Sequence, residues 1–145
     1  MKNSMRLTGK WIATMFLFMA LSVTQVAQAQ TIRDKSNSMI AKIENDGTVR
    51  NSSNSYVGKI YSDGDIRDGS NCFLGKINSS GEVRNSSNSY IGKINSDGTV
   101  RNSSNSYVGK VEGDGTVRNS SNSVIGYAKG VPVQYAALYF FFDFF

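Results

Sequence analysis

The sequence of 145 residues contains no histidine and only one cysteine, Cys72. Histidine is the usual general base near neutral pH, and cysteine supplies thiol nucleophiles and soft metal ligands. Their scarcity argues against the common hydrolase and zinc-protein classes. We therefore predict no catalytic residues, no cofactor and a non-enzymatic protein.

The single cysteine cannot form a disulfide with a second cysteine of this sequence. Cys72 occupies a repeat position at which the neighbouring copies carry serine. We therefore expect it to be a small buried or half-buried side chain that has replaced serine.

The sequence has no apolar run long enough to cross a bilayer as a helix, which requires about 20 residues. The apolar run from Trp11 to Val23 follows three basic residues and precedes Ala27-Gln28-Ala29, whose small residues suit a signal peptidase. This pattern predicts a signal peptide over residues 1–29, cleaved after Ala29. We expect export to the periplasm, cell surface or medium, without a transmembrane helix in the mature chain.

An excess of one charge is also missing once the signal peptide is removed. Three of the sixteen basic residues leave with it, so thirteen face eleven acidic residues and the net charge is +2. Lysine and arginine are spread evenly rather than clustered. This distribution does not predict nucleic acid as a partner.

What the chain does contain is one phrase of 17 residues, repeated. The full copies run over Met39 to Ser55, Tyr56 to Cys72, Phe73 to Ser89, Tyr90 to Ser106 and Tyr107 to Ser123. Such self-similarity indicates a small unit that is stabilised by its neighbours. We predict a repeat domain over 30–130 and an apolar, aromatic segment over 131–145 that packs on it.

Each unit is predicted to be a β-hairpin, because short runs rich in Val, Ile and Tyr alternate with Asp-Gly and Asn-Ser turn signals. A three-residue loop before Thr99, with Gly98 in the left-handed conformation, would place Ile94 opposite Val100. The structural turn glycines predicted on this pattern are Gly47, Gly64, Gly81, Gly98 and Gly115.

The second turn of a unit, Asn102 to Ser106, is predicted to use Asn105 in the same left-handed role. This register would pair Val100 with Val108.

The odd period requires one interruption of the strand alternation in each unit, since otherwise every second copy would turn its core face to solvent. Between Val108 and Val111 the spacing is three, and Gly109 lies inside it. The glycines predicted to form this bulge are Gly58, Gly75, Gly92, Gly109 and Gly126. Ala41 takes this place in the first copy.

Hairpins with one apolar face can stack as an open solenoid, or they can close around an axis and remove exposed edges. The phrases "DGTVRNSSNS" and "IGKI", with the ending "IGYAKGV" before a Phe-rich tail, resemble the secreted bacterial five-fold β-flower proteins. The resemblance covers essentially the mature chain and implies petals about a pseudo-symmetry axis. It implies no activity. We expect an all-β fold of 17-residue hairpin repeats in a closed β-flower, with the open solenoid as the alternative.

Cations and aromatics recur in register along the repeats. The proposed pairing puts Lys110 near Arg118 on the face away from the aliphatic residues. The candidate ligand-binding residues are Arg50, Arg84, Arg101, Arg118, Tyr56, Tyr90 and Tyr107. They suit a glycan or an anionic envelope polymer; the alternatives are a solvated rim of cations and aromatic packing between petals.

The carboxylates before glycine are explained by turn chemistry, so no metal site is predicted. A calcium ion requires 6 to 8 oxygen ligands, and each loop offers one carboxylate. The strongest calcium candidate, Asp63-Gly64-Asp65, remains weak.

The final segment is predicted to be a terminal strand that plugs or floors the assembly, because an exposed stretch so rich in aromatics would aggregate. The alternative is an outer-membrane insertion signal ending at Phe145, whose alternation Asp143 interrupts. The sequence as a whole favours a structural or interaction module of the bacterial envelope, with multivalent polymer binding as the second hypothesis.

Overall fold

A computed structural model describes residues 30–145 as twelve short strands and one helix. The predicted signal peptide, residues 1–29, lies outside the described residues. The strands are β1 Thr31–Asp34, β2 Met39–Ile43, β3 Thr48–Asn51, β4 Tyr56–Ile60, β5 Asp65–Asp68, β6 Phe73–Ile77, β7 Glu82–Asn85, β8 Tyr90–Ile94, β9 Thr99–Asn102, β10 Tyr107–Val111, β11 Thr116–Asn119 and β12 Val124–Tyr127. Helix α1 follows at Val133–Phe141.

The strands form one closed antiparallel barrel. Each strand pairs with its neighbours in the chain, and β1 also pairs with β12, so the first and last strands close the ring. The ring therefore consists of six hairpins around one axis, and an Asn-Ser turn connects the two strands of each hairpin. Closure confirms the β-flower arrangement over the open solenoid, and it leaves no strand edge free in the described ring.

Both predicted turns are present in every repeat. All five predicted turn glycines have positive φ, between 85° and 92°. Ile94 lies opposite Val100, as the three-residue loop requires. The asparagines at the Asn105 position are also left-handed, with φ from 62° to 67°.

The side chain of the first turn residue closes each Asn-Ser turn. Asn102 Oδ1 accepts hydrogen bonds from the backbone N–H groups of Ser104 and Ser106, both at 3.0 Å. The variant turn that begins at Asp68 keeps the same two bonds, to Ser70 and Cys72, at 2.9 Å.

The predicted bulge is present in all six hairpins, but it lies one residue earlier than expected. The register shifts between Tyr107 and Gly109, so Val108 has no Cα partner, while Gly109 pairs with Val100. The predicted pair of Val100 with Val108 is therefore wrong. The first hairpin forms the same bulge with Ala41, which shows that the shift does not depend on glycine.

The predicted bulge glycines instead make room for aromatic rings. A β-carbon on Gly92 would lie 2.8 Å from Cε1 of Phe142, and one on Gly75 would lie 2.8 Å from Cε1 of Phe144. Five hairpins each meet a different ring; in order from Gly58 to Gly126, the rings are Phe145, Phe144, Phe142, Phe141 and Phe140.

The core consists of one inward aliphatic layer and the C-terminal segment. Most hairpins contribute two buried aliphatic residues, such as Val100 and Val111, to a single cluster. Ala136, Ala137 and Leu138 of α1 are fully buried in this cluster. The segment thus fills the barrel as expected, but as a helix, and the predicted terminal strand is wrong.

The expectation of a buried or half-buried Cys72 is wrong, because this residue lies in an Asn-Ser turn at the tip of a hairpin and is exposed.

Among residues 30–145, no helix is both long enough and apolar enough to cross a membrane.

Candidate functional site

The outer face of the barrel carries a continuous row of cations, called here the outer belt. The register places Lys110 directly opposite Arg118, as the sequence predicts, and the same Lys–Arg pair recurs where each hairpin meets the next. The outer belt comprises Arg33, Arg50, Arg67, Arg84, Arg101 and Arg118, with Lys42, Lys59, Lys76, Lys93 and Lys110. All four arginines of the predicted site belong to it.

The arginines of the belt are held in one orientation by the Asn-Ser turns. Arg101 Nη1 donates to the backbone carbonyl of Asn105 at 2.9 Å, and Arg118 Nη1 donates to that of Asn122 at 3.1 Å. All six arginines make this contact, at distances from 2.8 to 3.3 Å. A guanidinium has five N–H donors, so each arginine keeps donors beyond this contact, although one of them bonds a carboxylate in Arg50, Arg67 and Arg118.

An aromatic residue stands opposite the arginine in four hairpins. Tyr107 pairs with Arg101, and Tyr56 pairs with Arg50. The Arg67 guanidinium lies 5.7 Å from the ring centroid of Phe73, a cation–π distance. Tyr56 and Tyr107 are 42% and 39% exposed. These rings therefore lie on the outer surface beside the cations rather than between petals.

Carboxylates from the Asp-Gly loops reduce the repulsion within much of the belt. Glu44 Oε1 lies 3.3 Å from both Lys42 Nζ and Arg50 Nε. Asp65 contacts Arg67 at 3.4 Å and Lys76 at 3.3 Å. Neither of the two sequence-based interpretations of these cations, ligand binding or a solvated rim, included these bridges, although the variable positions that hold the carboxylates could have indicated them.

The turn aspartates are used by their own loops. The backbone N–H of Thr48 donates to Asp46, and this bond is the main cause that lowers the carboxyl pKa below its ordinary 3.8. In the fourth repeat the Thr99 hydroxyl, 2.6 Å from Asp97 Oδ1, is the main cause of a lowered Asp97 pKa. Lowered pKa values keep these groups ionised, which suits turn closure rather than proton transfer.

The calcium candidate is occupied by protein contacts. Asp65 is bridged to two cations, and Asp63 Oδ1 accepts the Asp65 backbone N–H at 3.0 Å. Across residues 30–145, no three His, Cys, Asp or Glu side chains converge as a metal would require.

Shallow clefts lie at the Asp-Gly end of the barrel, beside the start of α1. One of them is lined by Glu112, Asp114, Lys129 and Val133. Asp114 has a lowered pKa whose largest cause is the hydrogen bond from the Thr116 backbone N–H. The turn itself therefore explains this carboxylate.

Comparison with known proteins identifies a family. The model of a family described as "5-fold beta-flower protein" matches residues 29–144. No curated protein and no solved structure matches this sequence.

Proposed function

We propose that this chain, which belongs to the family of 5-fold β-flower proteins, is a secreted, non-enzymatic structural or interaction module of the bacterial envelope. The N-terminal pattern, with basic residues before an apolar run and Ala27-Gln28-Ala29, supports export. The architecture supports an interaction role because the barrel leaves its outer surface, and not its interior, available to partners.

The filled interior is the first reason for this proposal. Leu138 is fully buried, and the phenylalanine side chains of the C-terminal segment pack against the strand glycines of the barrel. A barrel that holds a ligand inside needs an unfilled cavity of a few hundred Å³ or more. Here the protein's own C-terminal segment takes that place, so recognition falls to the outer surface.

The outer belt is the observation that carries the proposal further, to multivalent binding of a glycan or anionic envelope polymer. Arginines oriented by turn carbonyls recur on all six hairpins, and aromatics stand opposite four of them, three exposed and Tyr90 half-buried. Preoriented guanidinium groups favour carboxylates and phosphates, and tyrosine faces favour sugar rings. Several equivalent units on one rigid ring raise avidity through effective concentration.

The test is binding of the mature protein to an acidic polysaccharide, polygalacturonate, at several salt concentrations. Replacing Arg50, Arg84, Arg101 and Arg118 together by Gln should abolish binding and flatten its salt dependence. Replacement of the same four residues by Lys keeps the charge and should retain part of the affinity.

A matched control changes four exposed serines of the same turns to Ala: Ser53, Ser87, Ser104 and Ser121. This control should bind like the wild type. Undiminished binding by a folded fourfold Gln variant would show that the arginines are only a solvated rim.

A further inference from the structure

The outer belt is uneven, because one sector of it lacks the carboxylates that bridge its cations elsewhere. We call Lys93, Arg101 and Lys110 the open sector. Within the part of the chain that the structure describes, none of these three forms an ion pair, although six of the remaining eight belt cations pair at 3.4 Å or less. Arg84 approaches Glu82 at 4.0 Å.

The repeat provides a matched comparison 34 residues earlier, which we call the bridged sector: Lys59, Arg67 and Lys76. Lys59 pairs with Asp46 at 3.4 Å, and Asp65 bridges Arg67 and Lys76. The residues of the open sector that correspond to Asp46 and Asp65 are Ser80 and Thr99. Two carboxylates of the bridged sector are thus replaced by two neutral hydroxyl side chains.

The loop beside the open sector satisfies its polar groups internally. Asn95 stands where Glu44 and Glu112 stand in their repeats, and its Nδ2 donates to Thr99 Oγ1 at 3.0 Å. Asp97 accepts hydrogen bonds from the Thr99 hydroxyl and backbone, which are the main causes of its lowered pKa, and a weaker charge interaction with Lys110 lowers the pKa further. Asp63 occupies the same repeat position beside the bridged sector, so the presence of Asp97 is not a difference between the two sectors.

One further carboxylate faces the open sector. Glu82 is the cross-strand partner of Lys93, and its Oε2 accepts from Asn78 Nδ2 at 3.1 Å. Its closest cation among the described ion pairs is Arg84.

The geometry concentrates three cations on three adjacent strands. Lys93 on β8 is directly opposite Arg101 on β9, and Lys110 on β10 is opposite Thr99, two residues before Arg101. Neighbouring strands lie about 4.8 Å apart, so the three charges fall within roughly 10 Å across the sheet. Like charges this close repel one another unless a counter-charge joins them.

We propose that the open sector is the principal binding site of the belt and that it takes an acidic polysaccharide, with carboxylates on Lys93, Arg101 and Lys110 and sugar rings on Tyr90 and Tyr107. This inference rests on the proposed function and locates it on the ring. Tyr107 is the cross-strand partner of Arg101, and Tyr90 lies at the start of the strand that carries Lys93. A protein that binds nucleic acid through about 6–10 phosphate contacts uses more cations than the three of the open sector.

The first experiment compares matched triple variants for binding to polygalacturonate. Replacing Lys93, Arg101 and Lys110 by Ala should weaken binding by at least about tenfold, since charge-assisted contacts are lost. Replacing Lys59, Arg67 and Lys76 by Ala should change it less than about twofold, because those cations are already neutralised by the protein. Equal losses would overturn the open sector as the principal site.

The second experiment exchanges the carboxylates between sectors. Ser80→Asp with Thr99→Asp introduces the two bridging carboxylates into the open sector and should weaken binding as much as the first triple variant. Asp46→Ser with Asp65→Thr removes them from the bridged sector and should strengthen binding. Each change reproduces a residue that another repeat of this protein already carries, so the fold should persist. No change in either direction would contradict the inference.

The remaining outcomes separate this inference from the proposed function. If wild-type protein binds polygalacturonate and the fourfold arginine variant does not, while the two sectors behave alike, only the open sector is wrong. If the wild type binds none of the acidic polysaccharide, the belt proposal itself is wrong. Equal or tighter binding of polyphosphate or a single-stranded oligonucleotide would overturn the assignment to a polysaccharide.

Discussion

At the scale of single residues, backbone conformation explains the strictest positions of the repeat. Gly98 has φ of 86°, and a β-carbon there would collide with the carbonyl oxygen of Val111. Its neighbour Thr99 begins strand β9 and occupies ordinary extended backbone. The two adjacent positions should therefore differ sharply in what they tolerate.

We expect Gly98→Val to lower the free energy of unfolding by about 1–3 kcal/mol or more, because a β-branched residue is strained at positive φ. Thr99→Val should cost about 1 kcal/mol or less, mainly through loss of the hydroxyl bond to Asp97. Thermal and urea unfolding of both variants measures the difference. Equal melting shifts would contradict the three-residue loop.

A second residue-scale prediction concerns pH. Asp46, Asp97 and Asp114 have lowered pKa values in the folded protein, chiefly from threonine hydrogen bonds. Their stabilisation is therefore complete above the ordinary value of 3.8 and is lost as the pH falls through the lower folded values.

The measurement is urea unfolding of the wild type and of a variant with all three residues changed to Asn. The wild type should be the more stable at about pH 6, and the difference should shrink as the pH falls below 3.8 and through the lower folded values. Asparagine keeps a turn acceptor and serves as the control for shape. A difference that is constant with pH would show that ionisation contributes nothing.

At the scale of elements, the contact between strand glycines and tail rings determines how the barrel is filled. The bulge at Val108 resets the pleat, and Gly109 then faces inward against Phe141. A side chain at the glycine would compete with the ring for the same space. The glycine and the phenylalanine therefore form one packing unit, repeated five times.

Gly92→Val should lower the free energy of unfolding by about 1–3 kcal/mol, because it overpacks the space held by Phe142 and approaches the carbonyl of Arg101. Ala41→Gly is the matched control at the same repeat position of the first hairpin. It removes only a methyl group and should be tolerated, at a cost of about 1 kcal/mol. Comparable stability of Gly92→Val and the wild type would exclude tight ring packing.

Deleting Tyr135 to Phe145 should expose the inner aliphatic layer, lower solubility and increase binding of a hydrophobic dye. Fully buried Leu138 offers a milder test, since Leu138→Ala should cost about 2–5 kcal/mol of unfolding free energy. A truncated protein that stays monomeric and equally stable, but loses membrane association, would instead favour an outer-membrane insertion signal.

At the scale of the whole molecule, ring closure distributes stability over six hairpins. The pairing of β1 with β12 joins residues about 90 positions apart in the sequence, as Arg33 and Tyr127 show. Each hairpin depends on its neighbours on both sides, because a single two-stranded hairpin is marginal in water. The belt on the outside follows the same ring, and its open sector arises from a few repeat-specific loop residues.

Export is the prediction that concerns residues 1–29. Protein recovered from the periplasm or culture medium should begin at Gln30, so its intact mass should lack residues 1–29. Ala29→Arg should block cleavage and leave a chain that retains residues 1–29, because the signal peptidase requires a small residue at this position. Retention of residues 1–29 in exported wild-type protein would contradict the signal peptide.

The amino-acid sequence was sufficient for the local structure of the repeat. Asp-Gly and Asn-Ser signals depend on backbone freedom that few residues other than Gly and Asn possess, so they predicted both turns and the left-handed role of Asn105. The period of 17 predicted one bulge per unit, since an odd number of residues must otherwise reverse the faces of the strand. The three-residue Asp-Gly loop predicted the strand register that places Lys110 opposite Arg118.

The position of the bulge, the role of the glycines and the form of the C-terminal segment were decided only by tertiary structure. Gly109 was interpreted as the bulge because it lies inside the spacing of three between Val108 and Val111. Its actual partner, the ring of Phe141, is distant in sequence and belongs to no repeat, so the repeat pattern carries no sign of it. The segment was expected to be a strand from its aromatic composition. A closed barrel offers no free strand edge, so a chain buried inside it must satisfy its own N–H and C=O groups, and a helix does this within one segment.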